Sequence, residues 1–176
     1  MAIRHVKTIP VKIQCDSTPF QRSVIVNHII TQRGLMIDDT IGPVIDLHMK
    51  DTPENASVFQ RENGGFEHFV FVSIKLFDAS MCEIRRHVYS RTLREYHTTQ
   101  FSVFQRYRTP FESFEMYIDQ MERPIYYGNP KIEVRAGDVI LIEVLSPWMI
   151  DKEKSSIELQ FIELLGHLGP PEILVV

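Results

Sequence analysis

Residues 66–77 read FEHFVFVSIKLF and carry the strongest strand signal in the chain. Val70, Val72, Ile74 and Leu76 fall on one side of an extended backbone, and Phe69, Phe71, Ser73, Lys75 and Phe77 on the other. Alternation with a period of two puts successive side chains on opposite faces of a sheet, so this run predicts a strand with one face on a core.

Upstream, residues 3–14 (IRHVKTIPVKIQ) place Ile9, Val11 and Ile13 on one side of a second extended segment. Pro10 has no N–H to give to a ladder, which predicts an edge strand or a bulge. A helix is expected next. Thr18 can N-cap it, Pro19 suits its first position, Gln21 completes a capping box, and Gly34 stops it in a left-handed cap. Ile25 with Ile29, and Val26 with Ile30, would form its apolar face. Residues 35–49 read as extended, broken at Gly42-Pro43, and residues 50–65 (KDTPENASVFQRENGG) as a long polar loop.

Downstream, a second helix is expected from Ser80, boxed by Glu83, to about His97, with Met81, Ile84 and Val88 as its buried stripe. Residues 100–108 return as a strand. A third helix begins at Thr109-Pro110, carries Phe111, Phe114, Ile118 and Met121 on one face, and ends at Pro124. Two short strands flank the turn Ala136-Gly137-Asp138, and residues 156–164 (SIELQFIEL) form a last alternating strand. The expectation is one α+β domain over residues 1–165, a mixed or antiparallel sheet packed by two to three amphipathic helices. Residues 166–176 form a Gly/Pro-rich tail ending in an apolar segment.

Composition narrows the function. The 176 residues are 44% hydrophobic and 24% charged, with a net charge of −4, ordinary for a globular domain. No apolar run reaches the roughly 18 residues of a membrane span. The first ten residues hold no apolar signal core, so neither secretion nor a transmembrane segment is expected and a cytoplasmic location is. Cys15 and Cys82 lack metal-ligand spacing and read as free buried thiols of a reducing compartment. Phosphate-cradling loops, HExxH, GxSxG and CxxC are all missing from the sequence. The seven histidines are scattered, and Asp38-Asp39 reads as a solvated turn. The chain is therefore expected to be no enzyme, with no catalytic residues, no metal, no cofactor and no small-molecule substrate.

Two features point to binding. Six arginines crowd residues 81–108, opposed there by Glu83 and Glu95. On the expected helix His87, Arg91 and Arg94 share a face, Arg85 and Arg86 flank it, and Arg106 and Arg108 follow, a set suited to phosphates of RNA or an anionic membrane. The apolar end Ile173, Leu174, Val175 and Val176, and Val58 and Phe59 in the polar loop, are the candidates for self-association by strand addition or loop contact.

The strand leading into a Pro-Phe-started helix and back into strands, IPVKIQCDSTPFQRSVIVNHII, followed by a long polar loop, resembles the matrix proteins of rhabdoviruses, the short ones of plant-infecting members included. The resemblance would span residues 6–164. It implies a non-enzymatic viral structural protein of the virion and host cytoplasm. Such a protein forms homo-oligomers and bridges viral nucleocapsid or RNA and an anionic membrane surface, as a peripheral membrane protein. Pro170-Pro171-Glu172 is followed by Ile173, so the family's Pro-Pro-x-Tyr motif is absent and its budding role is not carried over. The alternatives are an RNA-binding viral accessory protein (a silencing suppressor or movement factor), and a small enzyme or ligand-binding domain. The last would show an apolar pocket with convergent polar groups.

Overall fold

The computed structural model describes residues 5–38, 41–55, 69–92, 100–104 and 131–164. Ten strands lie among these residues: β1 (His5–Val11), β2 (Ser23–Ile29), β3 (Leu35–Asp38), β4 (Val44–His48), β5 (Phe69–Phe77), β6 (Glu83–Thr92), β7 (Gln100–Phe104), β8 (Lys131–Val134), β9 (Val139–Leu145) and β10 (Ser156–Glu163). All pairings among them are antiparallel. The α+β expectation is thereby overturned: the described residues are mostly β, in two antiparallel sheets, and among them no helix has seven or more residues.

Both helices expected within the described residues are strands. The first is β2. Thr18-Pro19-Phe20-Gln21 forms a turn instead of a cap, with the Gln21 N–H donating to the Thr18 carbonyl and the Thr18 N–H to Ser23 Oγ. Five of the seven residues 24–30 are β-branched, which favours a pleated, half-buried strand over a helix. The second is β6. Asp78 Oδ1 accepts from the N–H groups of Ser80 and Cys82, and the Cys82 carbonyl accepts from the Asp78 N–H. This closes a β5–β6 hairpin where a capping box was expected. Met81 completes the turn at φ 66°. The expected third helix and the tail lie outside the described residues, as does most of the polar loop.

One sheet runs β2-β9-β5-β6. In the other, β1 covers one side of β10 from end to end, and two strands share its opposite side. Residues 156–158 pair with β4 and residues 162–163 with β3. β8 flanks β3 and β7 flanks β4. The sheet is thus four rows deep, and its last two rows are interrupted. Pro10 stands in β1, which pairs only with β10 among the described strands, as an edge strand should.

The sheets close on one core. Ile25, Val26, Val70, Val72, Leu76, Ile140, Ile142 and Val144 come from one, and Val11, Leu35, Ile45, Leu47, Ile157, Leu159 and Phe161 from the other. Trp148, wholly buried, belongs to the same core. Residues 12–17 pass from one sheet to the other. The Gln14 N–H donates to the Ile25 carbonyl, Gln14 Nε2 to that of Asn27, and Cys15 Sγ to that of Val24, which caps the free edge of β2. Both thiols are exposed rather than buried, because Cys15 lies on this edge and Cys82 in the hairpin turn.

Candidate binding cleft

The break between β3 and β4 opens a cleft. β4 leaves β10 at Glu158 and β3 joins it at Ile162, so residues 159–161 have no ladder partner on that side among the described residues. Ile37 and Asp38, with Ile41 and Pro43, form one wall. Leu159, Gln160 and Phe161 form the second. The third comes from the facing sheet: Ile74 and Leu76 on β5, Arg85, His87 and Tyr89 on β6, and Ile140 on β9. The space is about 60 Å³.

Strand register explains which β6 side chains reach it. Arg85, His87 and Tyr89 stand opposite Leu76, Ile74 and Val72, on the core-facing side of the sheet. A bulge at the Leu76/Phe77 step, where Ile84 is the extra residue, sets this phase. Arg85 is only 3% exposed, Tyr89 lies in the core cluster, and the His87 and Tyr89 rings stack with centroids 6.3 Å apart. Asp38, expected in a solvated turn, is 1% exposed on the opposite wall. Its carbonyl accepts from the Ile41 N–H at 2.9 Å.

Alternation also fixes the direction of the β10 main chain. The Leu164 N–H donates to the Gly34 carbonyl, so residues 164, 162, 160 and 158 turn their N–H and C=O groups toward β3 and β4. Pro10, which lacks an N–H, sits opposite Glu158, consistent with this phase. The N–H and C=O of Gln160 therefore face the gap.

The outer face of the β2-β9-β5-β6 sheet holds a line of charges. Lys75 Nζ lies 2.5 Å from Glu143 Oε1, a charge contact outside aligned hydrogen-bond geometry, with the two residues 5% and 7% exposed. Arg86, opposite Lys75 in register, donates to both Glu83 carboxylate oxygens at 2.6 Å. Ser73, opposite Glu143, is buried with an Oγ that has no hydrogen-bond partner among the described residues.

The basic set read from the sequence is thus dispersed. Arg85 and His87 point inward to the cleft, and Arg86 points outward to Glu83, because a strand alternates where a helix would have gathered them. Arg91 lies on β6 in register with Val70. Arg94, Arg106 and Arg108 lie outside the described residues, as do Val58, Phe59, Ile173, Leu174, Val175 and Val176. Among the described residues no three His, Cys, Asp or Glu side chains gather at metal-binding distance, and no helix is long and apolar enough to cross a membrane.

Comparison with family models, with curated proteins and with solved structures gave no match.

Proposed function

We propose that the protein is a non-catalytic binding module, and that it holds its ligand in the cleft between the split sheet and β5–β6. The observation that carries this is the lining. An apolar floor of Ile74, Leu76, Ile140, Leu159 and Phe161 meets polar groups from both sheets, Asp38, Arg85, His87, Tyr89 and Gln160. Apolar walls with a few convergent polar groups are what a ligand site needs. At about 60 Å³ the space suits one side chain or a small functional group rather than a large substrate. Methyl NMR on the protein with a set of small organic fragments tests this. The expected result is shifts confined to the methyls of Ile74, Leu76, Ile140 and Leu159, lost in Ile74→Trp, which fills the cleft. A set that leaves all four methyls unmoved contradicts the reading.

A second reading is self-association, the property that the likeness to matrix proteins implies. It is favoured by Val24 and Ile29, 42% and 58% exposed on the edge strand β2, and by Phe20, half exposed at φ 60° in the preceding turn. Scattered apolar residues are common on surfaces, so the mutant decides. If this reading holds, sedimentation gives a concentration-dependent oligomer for the wild type and a monomer for Ile29→Glu. Identical behaviour of the two chains removes β2 as the contact.

A further inference from the structure

The interrupted ladder specifies the chemistry of the group the cleft accepts, an inference that rests on the binding reading above. Gln160 presents one main-chain donor and one main-chain acceptor to the gap, side by side as in a hydrogen-bonded strand pair. A complementary group must return one acceptor and one donor at the same spacing. A carboxamide does so. A carboxylate offers acceptors alone and would set an anionic oxygen against the Gln160 carbonyl.

Electrostatics point the same way. Asp38 and Arg85, only 1% and 3% exposed, bring one acidic and one basic side chain to the lining, so it carries no formal excess of either sign from this pair. A net charge brought into this apolar space would lose its hydration without a compensating excess of opposite charge. A neutral polar group loses less. Apart from His87 and Tyr89 the rest of the lining is hydrocarbon, Ile74 and Leu159 included, so the amide should carry a short branched apolar substituent. Filled at about 10–15 Å³ per water-sized volume, the space takes a group of roughly four to six heavy atoms.

We propose that the cleft is a site for a neutral amide on a small apolar group, with the amide docked on the Gln160 main chain. Such a group is found as a peptide-bond unit or an amide side chain of a partner, or in a free carboxamide.

Three probes of nearly one shape test it on the full ¹⁵N-labelled chain: isobutyramide, isobutyrate and isopropyl methyl ketone. Isobutyramide should bind with a Kd on the order of millimolar. It should move the Gln160 amide proton downfield and shift the Ile74 and Leu159 methyls. The ketone lacks the donor and the carboxylate lacks it too, so both should bind at least about fivefold more weakly, the equivalent of one net hydrogen bond. If isobutyrate or the ketone matches the amide while the cleft methyls shift, the amide assignment is overturned and the binding reading stands. If isobutyramide moves the methyls but leaves the Gln160 proton in place, the assignment is likewise overturned. If none of the probes moves the cleft, this assignment and the binding reading beneath it both fall.

Discussion

Replacing Lys75 by Met, Glu143 by Leu, and both together tests whether the outer face of β5 and β9 is as enclosed as the structure has it. The two charged residues are 5% and 7% exposed and touch at 2.5 Å. Removing either one leaves the other charge buried without its counter-ion, which typically destabilises a fold by about 3–5 kcal/mol. Removing both exchanges a desolvated ion pair for apolar packing of similar volume, which is often neutral or mildly stabilising. Two singles near 3 kcal/mol would sum to about 6, against a double near zero, so the coupling should be about 6 kcal/mol. The assay is urea unfolding followed by fluorescence of Trp148, the only tryptophan and fully buried. Singles that each lose under about 1 kcal/mol and simply add would match a solvated pair. That result would refute the reasoning, since exposed ions do not need each other.

Other perturbations have definite signs. Asn55 is buried, and its side chain bonds the Lys50 carbonyl at 2.7 Å, the Met149 carbonyl at 3.1 Å and the Met149 N–H at 3.1 Å. Asn55→Ala should lower unfolding free energy by about 2–4 kcal/mol, and Asn55→Asp should lose more, because it turns a carboxylate oxygen onto two carbonyls. Asp16 is held below its usual value of 3.8 by the hydrogen bond from Lys50 and by the Lys152 N–H. A depressed carboxylate stabilises fully above its unfolded value and loses that contribution as pH falls through its folded one. The stability gap between wild type and Asp16→Asn, read by denaturant titration across pH, should thus be flat at neutrality and shrink below 3.8. At Gly137, with φ 98°, an added Cβ would meet only the Ala79 Cβ at an ordinary 3.7 Å. Gly137→Ala should therefore cost about 1–2 kcal/mol from backbone conformation alone, seen as a lower Tm without loss of the cleft.

Strands whose alternation is unbroken were legible. Val70, Val72, Ile74 and Leu76 face inward as read, Pro10 marks an edge strand, and Ile157, Leu159 and Phe161 on β10 bury one side. The helices were misread because capping chemistry and turn chemistry use the same residues. The expected caps Thr18 and Ser80 instead donate their own N–H groups, to Ser23 Oγ in a turn and to Asp78 Oδ1 in a hairpin. The run SVIVNHII satisfies helical spacing at Ile25/Ile29 and Val26/Ile30, yet a bulge between Val24 and Val26 lets β2 bury Ile25 and Val26 together. A bulge defeats both periodicities, and the signal that remained was the density of β-branched residues. The same error created the basic face: read as a strand, residues 83–92 would have sorted Arg85, His87 and Tyr89 from Arg86 and Val88. The cleft itself was not legible, since it depends on β3 and β4 sharing one side of β10 across a sequence separation of more than a hundred residues.

The cleft depends most on the gap beside Gln160, and amide hydrogen exchange along β10 tests that gap most directly. The N–H groups of residues 158 and 162 are held by β4 and β3, and those of 159 and 161 by β1. Gln160 alone among these five should exchange fast, at least about tenfold faster than each neighbour, as an N–H without a ladder partner does. Protection at Gln160 equal to that at Glu158 and Ile162 would mean that the ladder is continuous there, and the cleft would not exist.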